Sequence, residues 1–201
     1  MHKHLRFTSG KPARRAPMVT VLSLLSLVVL CSLASCSWGG DMAGDAAVIR
    51  FKVYFSNDRL MSDATDCLAV FGVDRSVPMT SSIATAALQS LFRGPSSQER
   101  AEGYRSFFSE TTAGLLKRVR VEAKTAYVDL EDIRQALSGA TSSCGSAEFH
   151  SQIERTLLQF PAIEQVIYAI KGDPRTFYEW MNEPCSRTND DCNPAPFRDG
   201  R

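Results

Sequence analysis

The sequence predicts a small α+β domain: a mixed β-sheet with helices packed on one face, its elements in the order β-β-α-β-β-α-β. Three observations carry this. Val48–Phe55 alternates apolar and polar residues with a period of two. Two segments, one ending at Arg93 and one spanning Ala147–Gln159, carry apolar stripes at helical spacing. A last apolar run, Gln165–Ile170, follows the second of them at once. With 201 residues, 44% hydrophobic and 22% charged, the chain has room for one ordinary domain and a tail. That composition excludes a wholly disordered, collagen-like or polytopic membrane protein.

In Val48–Phe55, Ile49, Phe51, Val53 and Phe55 share a face and Arg50 and Lys52 the other, as in a half-buried strand. Asn57–Asp66 reads as a loop, and Cys67–Val73 as a second strand leading toward Val77 and Pro78. Ser81 or Ser82 caps a helix whose stripe is Ile83, Ala87, Leu88, Leu91 and Phe92, ended by Gly94-Pro95. Residues 96–114 are mixed, with Phe107 and Phe108 tucked under a loop. Leu116–Ala123 and Ala126–Leu130 form a hairpin turning at Lys124-Thr125, with Val119 and Val121 inward and Arg118 and Arg120 outward. Glu131–Leu137 adds a short helix, and Ser142–Gly145 is a loop bearing Cys144. The helix Ala147–Gln159 buries Phe149, Ile153 and Leu157. Asp173-Pro174 opens a last short helix containing Phe177, Tyr178 and Trp180. The domain thus spans 48–181, and 182–201 is an extended tail.

Residues 1–35 hold five basic side chains (Lys3, Arg6, Lys11, Arg14, Arg15) and no acidic one. The uncharged run Met18–Leu33 is short for a membrane span and suits the core of an export signal. Arg14-Arg15 lacks twin-arginine flanks. Leu33-Ala34-Ser35-Cys36 resembles a bacterial lipobox, which makes residues 1–35 a cleaved signal, Cys36 the lipid attachment site and 36–47 a glycine-rich tether. Ser37 resembles the residue after the cysteine in outer-membrane lipoproteins. The expected location is outside the cytosol, anchored at the cell surface or the periplasmic face of a bacterial membrane. Residues 36–201 carry 18 basic against 22 acidic side chains, a formal charge of −4, which argues against nucleic-acid binding.

Beyond the signal and Cys36, four cysteines remain: Cys67, Cys144, Cys185 and Cys192. In an exported chain they read as two disulfides with three possible pairings, the simplest joining Cys67 to Cys144 and Cys185 to Cys192. Cys185, Asp190, Asp191 and Cys192 fit no zinc spacing, so no metal is expected. Cys144 with His150, the only histidine after the signal, is the one candidate nucleophile and base. Asp129, Glu131 and Asp132 cluster as hairpin ends and helix starts commonly do. No catalytic residue and no cofactor is expected.

The strand VYF (53–55), the helix ATAALQSLFRGP (84–95), the hairpin VRVEAKTAYVDL (119–130) and the closing IERTLLQFPAIEQVIYAIKGDP (153–174) together resemble the GerMN domain of spore-germination and sporulation lipoproteins. The resemblance covers about residues 48–174. It departs at Gly103–Leu115, where GYRSFFSETTAGL replaces the family's Ile-Pro-containing approach to the hairpin. It implies a non-enzymatic envelope module, similar to ring-building domains that help assemble trans-envelope complexes. The expected function is a lipid-anchored interaction or assembly module whose partners are envelope proteins or further copies of itself. The alternatives are a small-ligand-binding lipoprotein and, behind it, an exported hydrolase. Partnering through a strand edge, the Phe177–Trp180 aromatics, or the basic stripe Lys117, Arg118 and Arg120 suits the first.

Overall fold

The computed structural model describes residues 47–198 apart from 64, 187 and 189. Its elements are β1 (Val48–Asn57), β2 (Phe71–Pro78), α1 (Ile83–Phe92), α2 (Ser97–Ala101), β3 (Tyr104–Arg105), β4 (Leu116–Glu122), β5 (Thr125–Leu130), α3 (Ser143–Leu157), β6 (Gln165–Ile170) and α4 (Pro174–Met181). Short 3-10 turns at Glu110–Leu115, Ser138–Thr141 and Ala195–Phe197 complete them. The architecture is α+β, as the patterning predicts.

The strands divide into two three-stranded sheets, β2-β1-β3 and β4-β5-β6, where the sequence suggests one. The first is antiparallel; in the second, β5 pairs antiparallel with β4 and parallel with β6. The separation has a physical cause. Beyond Ser56 and Asn57, the edge of β1 facing away from β2 is closed by helix side chains. Gln159 accepts from the Lys52 amide (2.9 Å) and donates to the Lys52 carbonyl (2.7 Å). Thr156 Oγ1 accepts from the Tyr54 amide at 3.1 Å. These bonds satisfy backbone groups that would otherwise seek another strand.

One core joins the layers. Phe51, Val53 and Phe55 of β1 meet Leu88, Leu91 and Phe92 of α1, Phe149, Ile153 and Leu157 of α3, and Val128 and Leu130 of β5. Phe108 is buried between Phe92 and Phe149, with ring centroids at 4.2 and 5.9 Å. Phe177 stacks on Tyr168 at 4.7 Å, so the α4 aromatics are core rather than a display surface.

Several boundaries differ from expectation for local reasons. The second strand starts at Phe71, not Cys67, because Asp63 and Asp66 take the amides of Thr65 and Leu68 into tight turns. Residues 97–101 form α2, announced by a capping box in which Ser96 and Glu99 satisfy each other's amides. The hairpin turns at Ala123-Lys124, both with positive φ, rather than at Lys124-Thr125. Val121 is exposed because β4 is an edge strand. Residues 131–137 form no helix, although Ile133 and Leu137 are buried. Ser142 caps the amide of Gly145, so α3 begins at Ser143, four residues before the expected start at Ala147, and takes in Cys144. Finally, the segment after α4 folds back: Phe197 is buried against the edge of Tyr127, at 5.6 Å. The signal, Cys36 and the tether through 46 lie outside the described residues. Among the described residues no helix is long and apolar enough to cross a membrane.

Candidate functional site

The four cysteines lie in disulfide geometry, Cys67 with Cys144 (Cα–Cα 5.2 Å) and Cys185 with Cys192 (5.6 Å). The first ties the β1–β2 loop to the first turn of α3. It commits the Cys144 sulfur, so the Cys144–His150 nucleophile pair does not assemble. Asp191 lies beside Cys185 and Cys192, but both sulfurs are spent on each other, and Asp191 accepts the Ser186 amide at 2.8 Å.

His150 is largely buried on α3, ringed by Phe149, Tyr168 and Phe177. Its Nε2 is 3.1 Å from Glu183, which also accepts the Ser146 hydroxyl at 3.1 Å. Its Nδ1 lies 3.6 Å from Glu154, too long for a hydrogen bond but close enough to act as a neighbouring charge. Burial by itself lowers the imidazole pKa. The flanking carboxylates Glu154 and Glu183 outweigh burial and push it up to about 9. The Glu183 carboxyl is held below its usual range, chiefly by its hydrogen bond to His150. A histidine held as a cation is a poor general base at neutral pH. Its role here is to fasten the segment after α4 to α3.

The acids at 129–132 do not converge. Buried Asp129 accepts the Gly172 amide at 2.7 Å and pairs with Lys117 at 3.1 Å, locking β4 and β5 to the turn after β6. Asp132 turns outward to Arg134, whose hydrogen bond lowers its pKa to about 2. The basic stripe of β4 is likewise engaged. Besides Lys117, Arg118 donates to the Phe197 carbonyl, and Arg120 to the Pro196 carbonyl and to Glu122. The stripe offered above as a partnering surface thus holds β5 and residues 196–197 in place.

Sequence reasoning missed the polar row of α3: Glu148, Gln152 and Thr156 are buried, with Gln159 just beyond. Glu148 accepts Ser56 Oγ (2.8 Å), Gln152 Nε2 (2.9 Å) and Arg105 (2.8 and 3.0 Å), while Arg105 also holds Asp58 at 2.6 Å. Spacing at i, i+4, i+8 placed these on one face, but polarity alone reads as solvent exposure.

A cleft of about 500 Å³ opens between β2, the end of α1 and α2. Arg75, Arg93 and Arg100 line it with Ser76, Ser97 and Glu110. Arg75 lies over Phe55 (5.9 Å) and pairs bidentately with Glu99 at 2.6 and 2.7 Å. Arg100 donates to the Pro95 carbonyl and, at 3.5 Å, to Ser97. Between them, Gly94 has φ +73°, and a side chain there would collide with the Phe108 carbonyl. The turn is therefore fixed in conformation and packing.

The family described as Germane, sporulation and spore germination, matches residues 52–176. Among solved structures, the chain is similar to the first GerMN domain of the sporulation protein GerM from Bacillus subtilis. That match is 20% identical, covers 62% of this chain and 84% of the other, and has a TM-score of 0.40. The tandem GerMN domains of the same protein match at 18% identity and a TM-score of 0.38, covering 63% of this chain and 40% of that one. No curated protein sequence matches. With more than half its length matched, including the helix, hairpin and closing strand singled out by residue pattern, the chain belongs to the Germane family of sporulation and spore germination proteins.

Proposed function

We propose that the protein is a lipid-anchored component of a bacterial cell envelope whose GerMN-like domain is a non-catalytic binding and assembly module. One observation carries this reading. The groups best suited to catalysis are committed to holding the fold: Cys144 to Cys67, His150 to Glu183, and Asp129 to Gly172 and Lys117. The lipobox-like Leu33–Cys36 supports the anchor, and family membership supports a structural rather than chemical role. β2 pairs on one side only, which leaves an edge suited to strand addition by a partner.

The test is in-cell photocrosslinking from exposed Asp74 on β2, read by mass spectrometry. The reading expects discrete adducts with envelope proteins or a second copy, lost when Cys36 is replaced by serine. A domain that crosslinks to nothing, or equally well without its anchor, contradicts it.

A further inference from the structure

We propose that the cleft between β2, α1 and α2 binds a phosphate group carried on a larger ligand, held between Arg93 and Arg100. On β4, Lys117 and Arg120 pair with carboxylates, whereas among the described residues no carboxylate pairs with Arg93 or Arg100. Arg100 meets a carbonyl and a hydroxyl but no carboxylate. Arg93, the C-cap of α1, has no side-chain partner among the described residues. Both line the same cleft.

Their mount is rigid. Buried Gly94 and Pro95 fix the turn between them, and the Ser96–Glu99 capping box fixes the start of α2. The end of α1 presents carbonyl dipoles, which do not attract anions, so recognition falls to the guanidiniums. Two forks from different elements, with hydroxyls at Ser76 and Ser97, suit a tetrahedral anion with oxygens on several sides. A planar carboxylate is satisfied by one fork. The volume, about 500 Å³, exceeds what the ion itself fills and leaves room for the rest of a ligand. Glu110 on the wall opposes any anion.

This deepens the binding role proposed above and rests on it. The test titrates the full chain, in neutral detergent at fixed ionic strength, following the amides of Gly94, Ser96 and Ser97 by NMR. Inorganic phosphate is expected to give saturable shifts, binding about tenfold tighter than acetate. Replacing Arg93→Gln and Arg100→Gln together weakens phosphate about tenfold, and Glu110→Gln tightens it about twofold. Arg120→Gln on β4 leaves it unchanged. Glycerophosphoglycerol, a soluble diester, binds at least as tightly as phosphate; weaker binding overturns the larger ligand and makes free phosphate the occupant. Shifts that never saturate, acetate equal to phosphate, or an unchanged curve in the double variant overturn the site. These side chains are exposed, so thermal unfolding is expected to be unaltered. The titration needs neither membrane nor partner, so its failure removes the phosphate site and leaves the anchored-module reading to its crosslinking test.

Discussion

The two sheets are completed by different means. In β4-β5-β6 the central strand β5 is paired along its length on both sides by backbone. In β2-β1-β3 the central strand has a full partner on one side and only a two-residue one on the other. The rest of that edge depends on Thr156 of α3 and Gln159 just beyond it, and that helix is seated by Glu148 and Gln152. A backbone ladder is indifferent to which side chains decorate it; an edge closed by side chains is only as secure as each of them. Single substitutions therefore weigh differently on the two halves.

The largest contrast is expected at Glu148. Glu148→Ala removes the acceptor of Ser56, Gln152 and Arg105, leaving the buried Ser56 and Gln152 groups unpaired and Arg105 with Asp58 alone, costing about 2–3 kcal/mol in denaturant unfolding. Thr156→Val keeps shape but leaves the Tyr54 amide without its acceptor, at about 1–2 kcal/mol. Hydrogen exchange sharpens the comparison: in Thr156→Val the Tyr54 amide is expected to exchange faster, while β5 amides stay protected. Equal acceleration in both sheets would show that the helix is not a local seal.

The far side of α3 adds a pH-dependent contact. The pKa of His150 is raised on folding, so its pairing with Glu183 stabilises fully below the ordinary value near 6.5. That contribution is lost as pH climbs through about 9. Glu183, depressed, loses its share only in acid, as pH falls below the usual carboxylate range. Between pH 6.5 and 9 the chain is expected to lose about 2–3 kcal/mol, and His150→Gln to flatten that slope. The smallest effect belongs to β4. Arg120 is exposed and its contacts are at the surface, so Arg120→Gln is expected to change stability by less than about 0.5 kcal/mol.

The same contrast explains what could be read from residues alone. Strand β1, helix α1, strand β6 and the Asp173-Pro174 helix start were legible because apolar period and capping chemistry are local signals. The Ser96–Glu99 capping box is equally local, but the five-residue helix it opens carries no apolar stripe to mark it. Two sheets in place of one were not legible. Their separation depends on Gln159 meeting Lys52, which lie 107 residues apart. The candidate site was hidden for a related reason. Lys117, Arg118 and Arg120 look more concentrated in sequence than Arg93 and Arg100, yet partners from residues 129 and 196–197 absorb them. Partner commitment is a tertiary property, and charge counting does not see it.

The proposed envelope role requires a processed, acylated chain held at a membrane. The direct measurement is intact mass with membrane fractionation of the native chain and of Cys36→Ser. The native chain should sediment with membranes at the mass of residues 36–201 plus acyl groups, and the serine variant should lose both the acylation and the membrane. A variant that remains membrane-bound at its usual processed mass would contradict the anchor and the envelope role built on it.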